Sequence, residues 1–310
     1  MKVAITGATG FVGSRLVQRL QDKGHQPLIL TRNQTAAARA FPNLEIVAYT
    51  PTVSGSWQNA IPKVGEAIAG CDAVVNLAGV PIAEHRWTPQ RKEEILNSRK
   101  LVTQKIVEAI TQANPKPAVL INTSAIGYYG TSETISFDET SASGNDFLAQ
   151  VCQAWEGEAM KVKDAGVRLV ILRFGIVLGN GGALSKMIPP FQMFAGGPIG
   201  TGKQWFSWIH IDDLVNLIVT ALTQSNMEGV FNATAPNPVR MSEFCHTLGD
   251  VLHRPSWLPV PNFAIEALLG EGANVVLEGQ EVLPKRTLSY GFEYQYPTAK
   301  EALKEILTNV

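Results

Sequence analysis

The sequence predicts an α/β protein in which a doubly wound parallel sheet carries helices on both faces. Short runs rich in Val, Ile and Leu alternate with longer segments whose apolar residues recur every three or four positions. The short runs are continuously apolar, which is typical of strands that are covered on both faces. The β-α-β-α order of the first half indicates that these strands are parallel and joined by helices.

Six strands and six helices are predicted along the chain. The predicted strands are Val3–Thr6, Pro27–Thr31, Leu44–Ala48, Ala73–Leu77, Val119–Thr123 and Leu169–Phe174. The predicted helices are Ser14–Lys23, Pro89–Ala113, Phe147–Ala165, Asp212–Thr223, one between prolines within Asn237–Pro261, and one from Thr298. Thr88 is an expected N-cap, Asp212 or Asp213 is another, and Thr298 with Glu301 forms a capping-box signature.

Length, composition and charge narrow the possible function classes. The chain has 310 residues, of which 45% are hydrophobic and 17% are charged, so it can bury a sizeable core. A net charge of −1 without long basic runs argues against a nucleic-acid partner. The three cysteines are far apart, no His/Cys/Asp cluster has metal spacing, and no apolar stretch is long enough for a membrane span. We therefore expect a cytoplasmic protein without a metal.

A glycine-rich turn follows the first strand and opens the first helix. Gly7 permits a sharp exit from the strand, Gly10 lets the backbone approach a pyrophosphate, and Gly13 lets helix and strand pack closely. The start of the helix offers backbone N–H groups to phosphates. The motif predicts a Rossmann-type dinucleotide site, with a turn that binds no ligand as the alternative. Its expected cofactor-binding residues are Gly7, Thr9, Gly10, Phe11, Val12 and Gly13.

The end of the second strand favours NADP(H) over NAD(H). A site for NAD(H) usually has an Asp or Glu there, which holds the 2′-hydroxyl of the ribose. This chain has Arg32 instead, and a guanidinium can pair with a 2′-phosphate. An exposed arginine after a strand is also common, so the residue alone leaves both interpretations open.

The chain changes in character after residue 175, where glycine- and proline-rich stretches replace the regular alternation. We expect residues 1–175 and 209–232 to form the NADP(H)-binding Rossmann domain. Residues 176–208 and 233–310 are expected to form a smaller C-terminal substrate lobe, built from insertions around the carboxyl edge of the sheet.

Further motifs resemble those of the extended short-chain dehydrogenase/reductase superfamily, and more narrowly its atypical epimerase-like branch, which is sometimes labelled a cell-division inhibitor homologue. The superfamily resemblance rests on the glycine turn, Asn76-Leu-Ala-Gly79 and Ser124. The branch resemblance rests on Pro81-Ile82, Arg86-Trp87, Asn97-Ser-Arg99, Ser124–Gly130, Arg173–Gly179, Gly196–His210, Leu283–Lys285 and Gly291-Phe292. The resemblance implies an NADP(H)-binding core, and it adds Leu77, Ala78, Gly79 and Ser124 to the expected cofactor site.

The acid/base pattern of that superfamily is incomplete in this chain. Active members use a Ser with a Tyr-x-x-x-Lys pair on the helix after strand five, usually with a Glu four residues beyond the Lys. With Glu156 as that Glu, the Lys position is Cys152 and the Tyr position is Leu148. Ser124 is retained, and Tyr128 and Tyr129 are candidates for a displaced acid/base. The alternative is that the two tyrosines line a pocket, and that Cys152 is inert core and not a reactive thiol.

Two functions remain open. One is an oxidoreductase or epimerase that uses NADP(H) and acts on a small substrate, for example one that resembles a nucleotide sugar. The other is a catalytically degenerate NADP(H)-binding regulatory or scaffold protein, linked for example to cell or plastid division and to a protein partner. The candidate substrate residues are Arg86, Trp87, Lys203, Trp205 and His210. Trp205, with its neighbours Phe206 and Trp208, is equally consistent with a pocket wall and with a core between the two lobes.

Overall fold

The computed structural model of the chain describes residues 1–49 and 57–308. Its strands are β1 (Lys2–Thr6), β2 (Gln26–Thr31), β3 (Glu45–Ala48), β4 (Ala73–Asn76), β5 (Val119–Ala125), β6 (Ser136–Phe137), β7 (Arg168–Phe174), β8 (Ile176–Leu178), β9 (Trp205–Phe206), β10 (Trp208–His210), β11 (Gly229–Ala233), β12 (Val239–Arg240) and β13 (Glu281–Val282). Its α-helices are α1 (Phe11–Asp22), α2 (Gln34–Ala40), α3 (Trp57–Ala69), α4 (Pro89–Gln112), α5 (Phe147–Met160), α6 (Gly182–Gln192), α7 (Ile211–Thr223), α8 (Met241–Leu252), α9 (Asn262–Leu269), α10 (Asn274–Leu277), α11 (Lys285–Ser289) and α12 (Ala299–Thr308).

Seven of these strands form the central sheet, in the order β11-β7-β5-β4-β1-β2-β3, and each neighbouring pair is parallel. The chain runs outward in one direction from β1 to β3 and in the other direction from β4 to β11. The switch point between β1 and β4 is where open α/β sheets usually bind ligands. The predicted doubly wound Rossmann-type α/β fold is confirmed. The edge strand β11 was not predicted, because Gly229 and Asn232 interrupt its apolar run.

The sheet is buried on both faces, as the unbroken apolar runs predict. Val3 and Ile5 of β1 belong to one core cluster, which also contains buried residues of α1 and α7. Ala4, between them, belongs to the opposite cluster, with residues of α3 and α4. Alternate side chains of one strand therefore stabilise two separate layers of helices.

A third core cluster lies in the second half of the chain. It combines the buried side chains of Phe206 and Trp208 with Phe244 of α8 and Leu303 of α12. Small strand pairs frame it: β8 with β10 in parallel and β9 with β12 in antiparallel orientation. A further parallel pair, β13 with β6, joins the C-terminal segment (residues 262–308) to the region that follows β5.

The helix ends agree with the sequence at some positions and not at others. Thr88 Oγ1 accepts a hydrogen bond from the N–H of Arg91 at the start of α4, and the Thr298 hydroxyl donates to Glu301 before α12. The helix predicted over 147–165 is α-helical to residue 160 and continues as a 3₁₀ helix over Lys161–Ala165. No helix in residues 1–49 and 57–308 is both long and apolar enough to cross a membrane.

The expectation that Asp212 or Asp213 caps α7 is wrong. The N-cap is His210, whose Nδ1 accepts from the N–H of Asp212 at 3.1 Å. Asp212 forms an ion pair with Arg15 of α1, with Nε–Oδ1 at 2.5 Å. The Asp213 carboxylate accepts two backbone N–H groups of the C-terminal segment, at 2.8 and 3.0 Å. Both carboxylates therefore bind groups elsewhere in the protein and do not accept the free N–H groups at the start of α7.

Candidate functional site

The glycine turn after β1 needs glycine for steric reasons that the structure makes explicit. Gly7 has φ +69°, and a Cβ there would lie 2.7 Å from the carbonyl oxygen of Leu77. A Cβ on Gly13 would lie 2.2 Å from the carbonyl oxygen of Gly7. A Cβ on Gly10 would meet one atom among the described residues within 4 Å, the same Gly7 oxygen at 3.2 Å. Gly7 and Gly13 are therefore required for packing, whereas Gly10 leaves space on the solvent side of the turn.

The start of α1 has no side-chain cap. Its N-cap is Gly10, in an extended conformation, and no side chain accepts a hydrogen bond from the first turn. The N–H groups of Phe11 and Val12 have no acceptor within the helix, as is general for a first turn. Thr9 and Gly10 are exposed beside them. This end of α1 therefore presents backbone donors and a positive dipole end to solvent, which is the arrangement that holds phosphates elsewhere.

The expected cofactor residues lie on consecutive strand ends along one edge of the sheet. Arg32 follows β2, the glycine turn follows β1, residues 77–79 follow β4, and Ser124 lies near the end of β5. Arg32 is exposed and makes no ion pair with any residue that the structure describes. A dinucleotide laid across this edge would meet these groups in that order.

Ser124 belongs to a buried polar network at the far end of this edge. Its Oγ donates to Glu156 Oε1 of α5 at 2.7 Å. The Glu156 carboxylate also receives two hydrogen bonds from the Arg173 guanidinium of β7, both at 2.8 Å. The two side chains of this ion pair are only 9% and 4% exposed. Burial works to lower the pKa of Arg173, but the Glu156 carboxylate outweighs it and the pKa is raised.

Tyr129 completes the network, whereas Tyr128 stands beside it. The Tyr129 hydroxyl donates to Asn232 Oδ1 at 2.7 Å and accepts from Arg173 at 2.9 Å. Burial raises the pKa of Tyr129 to about 12, although Arg173 acts to lower it. Tyr128 is half-buried, with the Arg173 Cζ 3.3 Å from its ring centroid, and its hydroxyl has no partner among the described residues. Of the two candidate acid/base tyrosines, the geometry favours Tyr128.

Cys152 lies next to Ser124, where a superfamily lysine would be expected. It is buried, and its Sγ is 3.7 Å from the carbonyl oxygen of Ala125. Burial, together with the nearby Glu156 carboxylate, raises the pKa of the Cys152 thiol to about 11. The thiol is therefore protonated at neutral pH, which supports the inert-core interpretation. Leu148, one turn earlier, is in contact range of Gly127.

Arg86 and Trp87 contact the C-terminal segment. The Arg86 guanidinium donates to the carbonyl oxygen of Ala267 at 2.7 Å, and the N–H of Trp87 donates to that of Leu269 at 3.0 Å. The Trp87 ring also meets the Phe147 ring edge-on, with centroids 5.2 Å apart. These two candidate substrate residues therefore anchor the loop after β4 to the region around α9.

Lys203, which is exposed, and Trp205, which is half-buried, lie in a separate cluster. The Trp205 indole N–H donates to the carbonyl oxygen of Glu133 at 3.1 Å, and the Arg240 Cζ lies 3.8 Å from the Trp205 ring centroid. The carbonyl oxygen of Lys203 accepts from Arg240 at 2.5 Å. The contacts of these residues link β9 and β12 to the region before β6.

His210 is 1% exposed, and both of its ring nitrogens have partners within the protein. Nδ1 caps α7, and Nε2 lies 3.0 Å from Glu305 Oε2 of α12. His210 borders a cavity of about 350 Å³ beside the start of α1, which Phe11 and Arg15 also line. The cavity lies on the α1–α7–α12 side of the sheet, away from Ser124.

Sequence reasoning missed the roles of Arg173 and Asn232 in the site, and it used Glu156 only as a marker. Arg173 was part of a segment that carried the family resemblance, which was the one available signal for it. Asn232 lies in the strand that was not predicted. Within the described residues, no group of three or more His, Cys, Asp or Glu side chains is arranged to hold a metal ion.

Residues 3–233 match the NAD dependent epimerase/dehydratase family, and residues 260–306 match a domain of unknown function, DUF1731. The chain belongs to the NAD dependent epimerase/dehydratase family. This confirms the resemblance to the extended short-chain dehydrogenase/reductases.

Three proteins are similar to this chain over almost its whole length. The epimerase family protein SDR39U1 homolog, chloroplastic, of Arabidopsis thaliana is 54% identical over 310 residues, covering 99% of this chain and 87% of that protein. Epimerase family protein YfhF of Bacillus subtilis is 40% identical, covering 100% and 99%. The crystal structure of human epimerase family protein SDR39U1 (isoform2) with NADPH has a TM-score of 0.88 at 36% identity, and the match covers 100% of both chains.

Proposed function

We propose that this protein binds NADP(H) along the carboxyl edge of its sheet and acts as an oxidoreductase or epimerase on a small, nucleotide-sugar-like substrate. The observation that carries the proposal is the uncapped glycine start of α1, where Gly10 leaves room for a ligand and the first N–H groups point outward. The similar human protein that was crystallised with NADPH supports the choice of cofactor.

The residues present fit such a cofactor. The backbone of residues 9–13 would hold the pyrophosphate, the exposed Arg32 would pair with the 2′-phosphate, and residues 77–79 with Ser124 would lie along the nicotinamide half. When bound, the nicotinamide supplies hydride transfer. The protein's part is to position the substrate and to move a proton.

Tyr128 is the best-supported proton donor or acceptor in this arrangement. Its hydroxyl has no partner among the described residues, and the Arg173 guanidinium packs against its ring, with Cζ 3.3 Å from the ring centroid. The Ser124 hydroxyl donates its hydrogen bond to Glu156, so its lone pairs can accept a hydrogen bond from a substrate hydroxyl. Residues 176–208 and 233–310 would supply the substrate lobe.

A catalytically degenerate regulatory or scaffold protein is the second candidate, linked for example to cell division. It is favoured by the neutral, buried Cys152 and by Leu148, which replace the lysine and tyrosine of active superfamily members. The three thiols are free and buried, which supports a reducing compartment such as the cytoplasm for either function.

The decisive experiment exposes the NADPH-loaded protein to pools of carbonyl metabolites and nucleotide sugars. Oxidation is followed by the absorbance of the reduced nicotinamide, and epimerisation is followed by separation of the products. Turnover with any pool supports the enzyme. Tight NADPH binding without turnover or product change would favour the regulatory protein, and absence of NADPH binding would overturn both.

A further inference from the structure

The guanidinium of Arg99, on α4, is held against the loop that follows β4. A Cβ built on Gly79 would lie only 3.1 Å from the Arg99 Cζ. One terminal nitrogen of Arg99 donates to the carbonyl oxygen of Val80 at 3.1 Å, and the other donates to that of Ile95 at 3.2 Å. Arg99 therefore has a fixed position at the carboxyl edge of the sheet, directly behind a residue that we expect to line the cofactor.

The same guanidinium also faces α5. Its Cζ is 5.3 Å from the centroid of the Trp155 ring, and Trp155 lies three residues after Cys152, on the same side of that helix. Trp155 is 5% exposed, and its indole N–H has no acceptor among the described residues. Arg99 thus occupies the space between the β4 loop and the part of α5 where active superfamily members carry a lysine.

The charge of Arg99 has no counter-charge in the described part of the chain. No carboxylate there forms an ion pair with Arg99, and the nearest acid of α5, Glu156, is already paired with Arg173. Cys152 remains a neutral thiol. Burial lowers the pKa of Arg99 to about 10, so the guanidinium is still charged at neutral pH. An unpaired, partly desolvated cation is costly, and a ligand at this edge would experience its field.

We propose that Arg99 supplies from α4 the positive charge that α5 lacks, and that it favours the reduced over the oxidised nicotinamide ring. The inference rests on the proposed function, because it requires a nicotinamide cofactor at this edge. The oxidised ring carries a positive charge and the reduced ring is neutral, so a nearby fixed cation raises the free energy of the oxidised form alone. Arg99 acts here through its charge, because a guanidinium does not release its proton at neutral pH.

The test compares the dissociation constants of NADP⁺ and NADPH, measured by titration calorimetry, in the wild type, Arg99→Met and Lys100→Met. Lys100 lies on the same helix and serves as the matched control. Arg99→Met should lower the ratio of the NADP⁺ constant to the NADPH constant about tenfold, and Lys100→Met should leave it within about twofold. If Arg99→Met changes both constants equally or changes neither, Arg99 is structural and the inference is wrong.

Arg99→Lys gives a second readout that does not depend on the methionine variant folding. The ordinary pKa of lysine is about 10.4 and burial lowers it, so this variant should lose its charge within an accessible range above neutral pH. Its ratio should match the wild type at pH 6.5 and fall towards the uncharged value at pH 9.5, while the wild-type ratio, which depends on a group with a pKa of about 10, should fall much less. If the ratio does not change with pH in either Arg99→Lys or the wild type, the inference is wrong. A wild type that binds neither cofactor form overturns the proposed function itself.

Discussion

Ser124 Oγ lies 2.7 Å from Glu156 Oε1, and the hydroxyl proton points at that carboxylate. The Arg173 guanidinium binds both oxygens of the same carboxylate, with Nη2–Oε2 at 2.8 Å. The tyrosine and lysine positions of α5 are Leu148 and Cys152, so the polar partners around Ser124 are Glu156 of α5 and Arg173 of β7.

Loss of either partner of the buried ion pair should strongly destabilise the fold. In Glu156→Gln the buried Arg173 guanidinium loses its counter-charge, and we expect the free energy of unfolding to fall by about 3–5 kcal/mol. The measurement is urea denaturation followed by circular dichroism. Glu94→Gln is the control, because its ion pair with Arg91 is at the surface and should contribute less than about 1 kcal/mol. Equal losses of stability in Glu156→Gln and Glu94→Gln would contradict the stabilising role of the buried ion pair.

The two adjacent tyrosines should respond to loss of the hydroxyl in opposite ways. Tyr129→Phe removes the hydroxyl that pairs with Asn232 Oδ1 and with the Arg173 Nη1 nitrogen, and it should lower the free energy of unfolding by about 1–3 kcal/mol. Tyr128→Phe removes a hydroxyl without a partner, so it should leave stability within about 0.5 kcal/mol but lower turnover about 10²- to 10⁴-fold. Thermal unfolding and steady-state rates provide the comparison, and an active Tyr128→Phe protein would remove Tyr128 from the mechanism.

Alanine substitutions at three glycines should separate packing from ligand binding. Gly10→Ala should fold normally but lose NADPH affinity, because its Cβ meets only one atom of the turn, at 3.2 Å, and fills the space for the pyrophosphate. Gly13→Ala should destabilise the fold, because its Cβ would lie 2.2 Å from a backbone oxygen. Gly157→Ala has open space around its Cβ and should keep both properties. The assays are thermal unfolding and NADPH fluorescence, and normal NADPH affinity in Gly10→Ala would contradict the cofactor placement.

Reversal of charge at the end of β2 should change cofactor preference. Arg32→Glu should weaken NADPH binding about 10- to 100-fold while NADH binding changes little, since only NADPH carries the 2′-phosphate. Arg39→Glu, at another exposed arginine on α2, is the control for a general change of surface charge. Both dissociation constants can be obtained by fluorescence titration. Equal losses for the two cofactors in Arg32→Glu would show that this arginine does not bind the phosphate.

His210 should make stability fall as the solution becomes acidic. Burial lowers the pKa of His210, and the carboxylates of Glu305, Asp212 and Asp213 oppose this shift without cancelling it. Near pH 6.5 the unfolded chain takes up a proton that the folded His210 does not. The contribution of His210 to the free energy of unfolding is therefore present above pH 6.5 and is lost as the pH falls towards 5.

The comparison for this histidine uses urea denaturation at pH 7 and pH 5. The difference between the two free energies should be smaller in His210→Asn, which retains a capping side chain but does not titrate. His246→Asn, at a side chain that is 75% exposed, should behave like the wild type. An unchanged pH dependence in His210→Asn would show that His210 carries no part of it.

Apolar runs were sufficient to predict six of the seven strands of the sheet, and with them the edge where we propose that the cofactor binds. Strand ends of a parallel sheet lie side by side, so Arg32, Gly10 and Ser124 fall on one edge as soon as the strand order is known. The edge strand was missed because its pattern contains Gly229 and Asn232. The sequence pattern predicts a strand reliably only where the residues of that strand are apolar throughout.

The polar network could not be predicted, because its contacts depend on how separate elements pack. Ser124, Glu156 and Arg173 lie on β5, α5 and β7, and their meeting requires the register of both strands and the rotation of the helix. The prediction of the N-cap of α7 was wrong for a related reason. Local preference favoured Asp212, but its carboxylate is drawn to Arg15 on another helix.

Asn232 uses every one of its polar groups to join a different part of the molecule. Its side chain accepts from Tyr129 and donates to the carbonyl oxygen of Leu283, while its backbone donates to Glu139 and accepts from Thr287. The C-terminal segment and the hydroxyl of Tyr129 therefore share one rigid junction. A substrate that binds beside Tyr129, as proposed, would therefore meet side chains that these hydrogen bonds already hold in place before it arrives.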